Sequence, residues 1–423
     1  MKKRIQAIFF LVVWIWCSGC AHNSQPELAE TGNTTIPIEY SITTTAEPEI
    51  LEADPTVGKP EPTVPSSPLD DRVVQAELER IAVSYGTIGM QVAVIDNSTV
   101  AGAYSCGWAT VDNDSMTNDH KIRIASISKV VVGMAAMLMA EDGIIDLDES
   151  IGTYWGITVK NPSYPNDPVS IRTILNHTSS IDALSNDYST DFSSVLSRLP
   201  NCFSNLRPGS ISSWYYNNYA FRLLGMTLEL AAGQSLDEYL DKKIFSVIDI
   251  DAAFASGDID TPELLATLYR NSGAVAWSKE DLQAFHASDI PGGDGNYFAG
   301  GLTISAADLA KLFALLAADG NYNGNQLMQA GSVEAMETYD PHILQDGTCQ
   351  ANPLVCAPGL YGRNELYFHT GSAYGVNSCA SYDPTTGDGV IVLTTGADTE
   401  TADLYGISCI CDEINAYIYN LTQ

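Results

Sequence analysis

The stretch from Val130 to Ala140 constrains the fold most, because it is an apolar run without a single charged residue. The last charge before it is Lys129, and the next one after it is Glu141. A helix that is apolar on every side has to be buried on every side. The chain therefore needs a domain that packs other layers around this helix, and we expect Lys129 at its polar entrance.

Ser126 stands three residues before Lys129, in the segment Arg-Ile-Ala-Ser-Ile-Ser-Lys. Residues three apart share a helix face, so we expect the serine hydroxyl within reach of the lysine amine. A serine becomes a good nucleophile when a neighbour takes its proton, and a lysine in apolar surroundings has the lowered pKa that such a base needs. The alternative is an ordinary helix start, with Ser126 or Ser128 as the N-cap and the Lys129 stem lying along the core.

The first residues of the chain predict a secretion signal that is not part of the fold. Residues 1–4 are basic, and residues 5–16 form an apolar run too short to span a bilayer. The small residues before Cys20 resemble the lipobox of bacterial lipoproteins, although Cys17 takes the place of the usual leucine. We therefore expect residues 1–19 to be removed and Cys20 to carry a lipid anchor on a bacterial membrane, with plain secretion as the alternative.

Residues 20–68 have the composition of an unfolded tether. The segment contains eight prolines, many threonines and glutamates, and a single lysine, Lys59. Such a segment cannot bury a core, so we expect it to stay extended. The folded domain is predicted to span residues 69–423 and, through the tether, to work some distance above a membrane.

The chain is strongly acidic, with a formal net charge of −32 at pH 7 in 423 residues. Nucleic acids and anionic lipid surfaces attract basic proteins. We therefore expect no nucleic-acid partner and no contact with a membrane except through the lipid anchor. We also expect a soluble folded domain that is a monomer.

The cysteines indicate disulfide chemistry and no metal site. After Cys20, seven cysteines remain, namely Cys106, Cys202, Cys349, Cys356, Cys379, Cys409 and Cys411. Cys349 and Cys356 flank a short proline-containing loop and are the best candidates for a disulfide outside the cytoplasm. No pair has the spacing of a zinc site and no His and Cys residues cluster, so we expect neither a metal nor another cofactor.

The hydrophobic pattern predicts strands at both ends of the folded part and helices between them. Helices are predicted at 70–85, from Ser126 onward, and at 171–176, 193–199, 220–232, 236–247, 278–287, 305–319 and 402–419. Strands are predicted at 90–96, 101–111, 366–369, 378–382 and 389–394. We infer an α/β (α+β) fold with an antiparallel sheet that is built from both termini and flanked by helices. Its α/β part covers about 69–139 and 296–423, and an inserted helical part covers about 140–295.

A second cluster of polar residues stands at the start of the helix predicted over 220–232. The sequence there is Trp-Tyr-Tyr-Asn-Asn-Tyr, from Trp214 to Tyr219. Tyr216 and Asn218 are two residues apart, so a phenol that relays a proton and an amide that binds a carbonyl can lie side by side. A turn and a helix cap beside core aromatic residues is the alternative interpretation.

A third cluster follows the strand that contains Phe368. His369, Thr370 and Gly371 come at its end, and a glycine there lets a ligand approach the strand edge closely. His369 can orient a carboxylate or the phenol, and backbone N–H groups nearby can stabilise an oxyanion. A structural histidine is the alternative.

Taken in this order, Ser-x-x-Lys, Tyr-x-Asn and His-Thr-Gly resemble the serine β-lactamase and penicillin-binding protein family. The branch is the one that holds class C β-lactamases, D-Ala-D-Ala carboxypeptidases and related esterases. Residues 171–179 are similar to the family's "IRxLLxHTSG" stretch, and residues 299–310 to its "GGLxST…DLA" stretch. The resemblance covers about residues 70–420 and implies the family's fold, a β-lactamase/transpeptidase-like one.

The resemblance also implies a role for each matching residue. Ser126 is the acylated nucleophile, Lys129 its base partner, and Tyr216 the catalytic tyrosine, with Tyr215 as the alternative if the register slips by one. The other implied roles are substrate binding by Asn218, His369, Thr370 and Gly371, and an oxyanion hole from the backbone N–H groups of Ser126 and Ser372. His177 matches a position that is usually structural, and we assign it no catalytic role.

The substrate is less well defined than the reaction. We expect an extracytoplasmic serine hydrolase that acts through an acyl-enzyme on an amide or ester, with a D-Ala-D-Ala-type peptide of the cell wall as the best candidate. His369 stands where class C β-lactamases usually have lysine, which argues against potent β-lactamase activity. A β-lactamase or small-ester esterase is the alternative, and a penicillin-recognising sensor or binding module without turnover is another.

Overall fold

The computed structural model describes residues 71–182, 189–339, 349–398 and 405–422. The predicted signal peptide, Cys20 and the tether lie outside these residues, so what the sequence predicts for them stays a prediction. The same holds for the domain boundaries.

The described residues form helices, strands and short connecting turns. The helices are α1 Asp71–Ser84, α2 Ser128–Glu141, α3 Ile151–Trp155, α4 Ile171–Leu175, α5 Phe192–Arg198, α6 Asn218–Ala232, α7 Leu236–Leu240, α8 Lys279–Gln283, α9 Ala306–Ala317, α10 Ala330–Glu337 and α11 Cys409–Leu421. The strands are β1 Gly89–Asp96, β2 Thr99–Thr110, β3 Asp114–Ser115, β4 Ile122–Arg123, β5 Leu268–Tyr269, β6 Val275–Trp277, β7 Thr303–Ile304, β8 Asn321–Tyr322, β9 Asn325–Gln326, β10 Cys349–Gln350, β11 Val355–Cys356, β12 Tyr367–Ala373, β13 Val376–Tyr382 and β14 Gly389–Thr395.

One large antiparallel sheet organises the domain. Its eight strands follow the order β10-β11-β12-β13-β14-β1-β2-β3, so β1 from the N-terminal part pairs with β14 from the C-terminal part. The register places Val92 opposite Val392. This confirms the predicted fold class, in which an antiparallel sheet joins both ends of the chain and is flanked by helices.

Both faces of the sheet are covered, which explains why its central strands are buried. Along β1, Val92 belongs to an apolar cluster with α1 and α11, whereas its neighbour Ala93 belongs to a cluster with α2, α6 and α9. Successive strand residues point to opposite faces, so one apolar strand supplies both clusters. The sheet is therefore the middle layer of the domain, with helices packed on each side.

Helix α2 is the buried helix that the uncharged run predicts. Every residue from Ser128 to Met139 is buried, and α2 packs against α6, α7 and α10. The helix starts later than expected, since Ser126 lies in a 3₁₀ turn over Ala125–Ile127 and α2 begins at Ser128. Ala125 has a φ of 52°, and this left-handed residue separates β4 from the helix.

Two other elements differ from their predicted bounds. Strand β12 does not end at His369 but continues to Ala373, because Thr370 and Gly371 pair with Cys379 and Ser378 of β13. Cross-strand pairing thus overrides the tendency of glycine to end a strand. The last helix begins at Cys409 and not near residue 402. Within the described ranges, none of the helices combines the length and apolarity needed to cross a membrane.

The cysteine pair that the sequence singles out occupies facing positions. Cys349 of β10 lies directly opposite Cys356 of β11 in the sheet register. The structure has no disulfide bond between these two residues. Their pairing therefore stays a prediction, now with the two residues on adjacent strands.

A buried carboxyl group joins three segments of the helical part. The Glu229 side chain of α6 accepts the N–H groups of Leu236 (2.9 Å) and Gly292 (2.7 Å). Burial raises the pKa of Glu229 to about 7, although the two N–H donors act in the opposite direction. The carboxyl group of Asp237 nearby has its pKa raised to about 7 by burial as well.

We predict that this cluster lowers the free energy of unfolding as pH rises from about 4.5 to 7. The folded state retains a proton on Glu229 that the unfolded chain has already released, so each such carboxyl group contributes a slope of at most roughly 1.4 kcal/mol per pH unit. Urea unfolding of Glu229→Gln across this range should show a shallower slope than wild type. Glu280→Gln, on the exposed start of α8, serves as the matched control. An unchanged slope in Glu229→Gln contradicts the prediction.

Candidate active site

The turn that carries Ser126 is held from two sides. The Ser128 hydroxyl donates to the carbonyl of Ala125 (2.6 Å) and accepts the N–H of Leu302 (3.0 Å). From the sheet, the Ser378 hydroxyl donates to the carbonyl of Ile124 (3.0 Å). Ser126 is the one residue of 121–130 that is not buried. The fold thus fixes the backbone around Ser126 and leaves its hydroxyl accessible.

Lys129 lies beneath Ser126 and is completely buried. Its Nζ is 3.1 Å from Ser126 Oγ and donates to the carbonyl of Ala299 at 2.6 Å. Burial lowers the pKa of Lys129 well below its usual value, and the charge of Arg222 lowers it further. A neutral amine at this distance can accept the hydroxyl proton of Ser126, which is the role that the sequence predicts for Lys129.

Tyr216 completes the contacts to Ser126. The phenol forms a hydrogen bond with Ser126, and burial raises the pKa of Tyr216 while that hydrogen bond partly offsets the rise. The phenol therefore keeps its proton at neutral pH and is suited to pass a proton on, not to act as a standing phenolate base. Lys129 Nζ lies 4.9 Å from the centre of the Tyr216 ring.

The structure distinguishes between the two tyrosines that the sequence left open. Tyr216 lines a cavity together with Ser126, whereas Tyr215 is 54% exposed and is not among the residues that line the cavity. The buried His177 holds this segment, since its Nδ1 accepts the N–H of Asn217 (3.3 Å) and its carbonyl accepts the N–H of Tyr215 (2.9 Å). The His177 ring also packs on the Tyr216 ring, with centroids 4.6 Å apart.

His369 is a neutral group in this site. Its Nδ1 is 2.7 Å from the carbonyl of Thr370, so Nδ1 carries the proton and Nε2 has none. Burial, which disfavours the charged imidazolium, lowers the pKa of His369 to about 3. At neutral pH the imidazole therefore brings no positive charge to a substrate.

A close contact within the protein requires Gly371. A Cβ at this position would collide with the carbonyl oxygen of Ile124 and with the Ser378 hydroxyl. The glycine thus lets strand β12 approach the backbone that leads to Ser126, and its part in substrate binding stays a prediction. Any side chain at Gly371 would push the strand away from the nucleophile.

A cavity of about 310 Å³ opens at Ser126. Its lining residues are Ser126, Trp214, Tyr216, Gln350, Val355, Phe368, His369, Thr370, Ser372 and Tyr405. Gln350 donates its amide N–H groups to three carbonyls of residues 351–354, and its Oε1 accepts from the indole N–H of Trp214 at 3.3 Å. Two walls of the cavity are therefore joined by this hydrogen bond.

The sequence-predicted residues are brought together with one exception. Ser126, Tyr216, His369, Thr370 and Ser372 line the cavity, Lys129 contacts Ser126, and Gly371 lies in strand β12 between Thr370 and Ser372. Asn218 is the first residue of α6, is half-buried, and is not among the lining residues, so its role in substrate binding stays a prediction.

Sequence reasoning missed several contributors to the site. Trp214, Gln350, Phe368 and Tyr405 were not singled out, and the carbonyl of Ala299 that holds Lys129 carries no side-chain signal at all. The expectation that His177 is structural agrees with its contacts. Among the described residues, no group of His, Cys, Asp and Glu side chains is arranged to hold a metal ion.

The chain is similar to known proteins in both sequence and fold. A family model described as Beta-lactamase matches residues 71–407. An uncharacterized protein of Alkalihalophilus pseudofirmus is 22% identical over 246 residues, which is 57% of this chain and 62% of that protein. The chain thus spans less than two thirds of the length of this curated relative.

Solved structures share the fold at low identity. A penicillin-binding protein homologue from Pyrococcus abyssi, described as octameric, has a TM-score of 0.65 and 21% identity, covering 83% of this chain and 78% of that one. The D-amino acid amidase from Ochrobactrum anthropi SV3, complexed with L-phenylalanine amide, has a TM-score of 0.63 and 22% identity, covering 84% of this chain and 99% of that one.

The two adjacent tyrosines provide a direct test of the site. We predict that Tyr216→Phe lowers the rate of Ser126 acylation by on the order of 100-fold or more, because it removes the hydroxyl that relays the proton. Tyr215→Phe is the matched control and should stay within twofold of wild type. Stopped-flow acylation by a fluorogenic ester measures both variants. The opposite ranking of the two variants would overturn the assignment.

The lowered pKa of Lys129 predicts a pH profile for acylation. The protonated amine cannot accept the Ser126 proton, so the acylation rate rises with pH as Lys129 loses its proton. Because the pKa is well below the usual value, this rise should end far below pH 10.5. Lys129→Arg should lower the rate at every pH, since a guanidinium does not deprotonate. A profile that still rises at pH 10 contradicts the prediction.

Proposed function

This chain belongs to the Beta-lactamase family of serine hydrolases, which act through an acyl-enzyme, and we propose that its substrates are small amides or esters that are uncharged around the scissile bond. The observation that carries the proposal is the hydroxyl of Ser126, contacted by Lys129 and Tyr216 at the mouth of a 310 Å³ cavity.

The arrangement supports a two-step reaction. Ser126 Oγ attacks the carbonyl carbon while Lys129 accepts its proton, and the negative charge develops on the carbonyl oxygen near the backbone N–H groups of Ser126 and Ser372. Tyr216 then donates its phenolic proton to the departing amine or alcohol and regains a proton from Lys129, which returns the amine to its neutral form. A water molecule releases the acyl group by the same route in reverse, which restores Ser126.

The chemistry of the cavity supports an uncharged substrate. Trp214, Val355, Phe368 and Tyr405 give it apolar walls, and its described lining contains no lysine or arginine. His369 is neutral there. The adjoining sequence segments 340–348 and 399–404 also contain no lysine or arginine. A free carboxylate in this cavity would lack a cationic partner, and burying an unpaired charge is costly.

A D-Ala-D-Ala-type peptide is the second candidate substrate. The hydroxyl of Thr370 lines the cavity and is a neutral donor that can hold a peptide carboxylate in place of a cation. We also propose the location that the sequence predicts, outside the cytoplasm with a lipid anchor at Cys20. That location would bring the domain near the cell wall, and a monomer would suffice because every proposed group comes from one chain.

A set of substrates separates these candidates. We expect kcat/KM for N-acetylphenylalanine amide or a nitrophenyl ester to exceed that for a D-Ala-D-Ala tripeptide or a penicillin by more than about tenfold, a difference of about 1.4 kcal/mol in transition-state binding. Ser126→Ala is the control and should show no turnover. Intact mass with a fluorophosphonate verifies the nucleophile. A preference for the tripeptide supports the second candidate, and absence of any adduct contradicts the nucleophile assignment.

A stable penicillin adduct would point to the alternative class, a sensor without turnover. Intact mass followed over hours distinguishes the two cases, because an enzyme loses the adduct and a sensor keeps it. Under the proposed function, any penicillin adduct should form slowly, since its carboxylate finds no cation in the cavity.

A further inference from the structure

Arg123 is a buried cation that the proposed reaction does not use. It lies in β4, three residues before Ser126, and only 3% of its surface is exposed. The ion pairs found among the described residues do not include it. Its guanidinium instead lies among aromatic rings, 4.4 Å from the centre of Tyr374, 5.0 Å from Trp277 and 5.1 Å from Phe285. Cation–π attraction is strengthened in such a desolvated setting.

Tyr374 occupies an unfavourable backbone position. It forms, with Gly375, the two-residue turn between β12 and β13, which Ala373 and Val376 close. Both turn residues have positive φ, 59° at Tyr374 and 84° at Gly375. Such a turn prefers asparagine or glycine at the first place, where a tyrosine is strained. The turn conformation alone does not explain why an aromatic residue stands at position 374, whereas the stacking of the Tyr374 ring on Arg123 does.

The hairpin matters because it presents Ser372. This residue lies two positions before Tyr374 in β12 and lines the cavity with Ser126. Its N–H is one of the two groups that the reaction needs for the oxyanion, and an oxyanion hole depends on the placement of its donors. Whatever fixes the Tyr374 turn therefore acts on the position of the Ser372 N–H.

Arg123 also holds the opposite side of the site. Its Nε donates to the carbonyl of Gly300 at 3.2 Å. The preceding carbonyl, that of Ala299, accepts a hydrogen bond from Lys129. One guanidinium thus contacts the hairpin that carries the oxyanion donor and the loop that holds the base.

We propose that Arg123 is a positioning residue for the oxyanion hole, which it sets by holding the β12–β13 hairpin through the ring of Tyr374. The inference rests on the proposed function, because it assigns a task in that reaction. Arg123 touches no reacting atom, and its effect passes through Tyr374 to Ser372.

The experiment replaces the ring without disturbing the turn. Tyr374→Asn supplies a residue that the turn prefers and removes the stacking on Arg123. We expect kcat to fall about tenfold or more with KM changed less than twofold, since loss of an oxyanion donor acts on the transition state. The affinity for a boronic acid, whose tetrahedral adduct places an oxygen in the oxyanion hole, should fall in parallel. Tyr374→Phe keeps the ring that stacks on Arg123 and removes only the long hydrogen bond (3.5 Å) that Arg123 Nη2 donates to the Tyr374 hydroxyl, so it should match wild type within twofold.

A readout independent of activity separates this inference from the proposed function. Hydrogen–deuterium exchange of segment 367–376 should become faster in Tyr374→Asn and in Arg123→Met, and stay unchanged in Tyr374→Phe. Ser98→Gly alters a similar two-residue turn, between β1 and β2, and is the matched control for kcat and for exchange.

The outcomes that overturn the inference are specific. Unchanged exchange in Tyr374→Asn shows that Arg123 does not hold the hairpin. A fall in kcat without a fall in boronic acid affinity shows that the hairpin does not set the oxyanion hole. If wild type takes up no fluorophosphonate, the proposed function fails, and faster exchange in the variants still shows that the hairpin depends on Arg123 while its catalytic task is refuted.

Discussion

The contact between Lys129 and Ser126 is the interaction on which the rest of the site depends. A lysine at the start of an all-apolar helix pays a desolvation penalty when it is charged, and the protein accommodates it with one carbonyl, that of Ala299, and one hydroxyl. No carboxylate neutralises it within the described surroundings, so the neutral amine is favoured. The base is thus produced by burial in the core, and the core has to form before the chemistry can occur.

Burial also determines the charge states of the groups near Lys129. Tyr216 keeps its proton and His369 loses its own, because burial disfavours the charged form of each. The Arg123 guanidinium stays charged even though it is buried, and it lies against aromatic rings, with no ion pair to it among the described residues. The described residues that line the cavity include no aspartate or glutamate, although the chain has a net charge of −32. The proposed preference for uncharged substrates rests on these charge states.

How far the sequence predicts this site depends on the kind of signal. Ser126, Lys129, Tyr216 and the strand that contains His369 follow from short motifs in a fixed order, and the buried helix follows from composition. The contributions of Ala299 and Gln350 do not, because one acts through its backbone and the other through a hydrogen bond to Trp214, which lies far away in the chain.

Two local features lie outside what the sequence patterns show. One is the packing of β12 against Ile124, which requires a glycine at position 371. The helix was expected to open at Ser126, whereas the left-handed Ala125 delays it to Ser128. Backbone angles and interstrand contacts of this kind have no counterpart in a hydrophobic pattern. The stacking of Tyr374 on Arg123 could not be predicted from the sequence either, because 251 residues separate the two in the chain.

The pairing of β1 with β14 has a consequence for how the chain reaches its active form. These neighbours in the centre of the sheet join residue 89 to residue 395, so the middle of the sheet consists of contacts between opposite ends of the domain. Proteins with many contacts of long sequence separation fold slowly, because the entropy of closing a long loop is lost before the contacts form. Until β14 pairs with β1, the unpaired apolar edge of β1 is exposed to association with other chains. This architecture therefore requires that the edge of β1 be protected from association with other chains until β14 pairs with it.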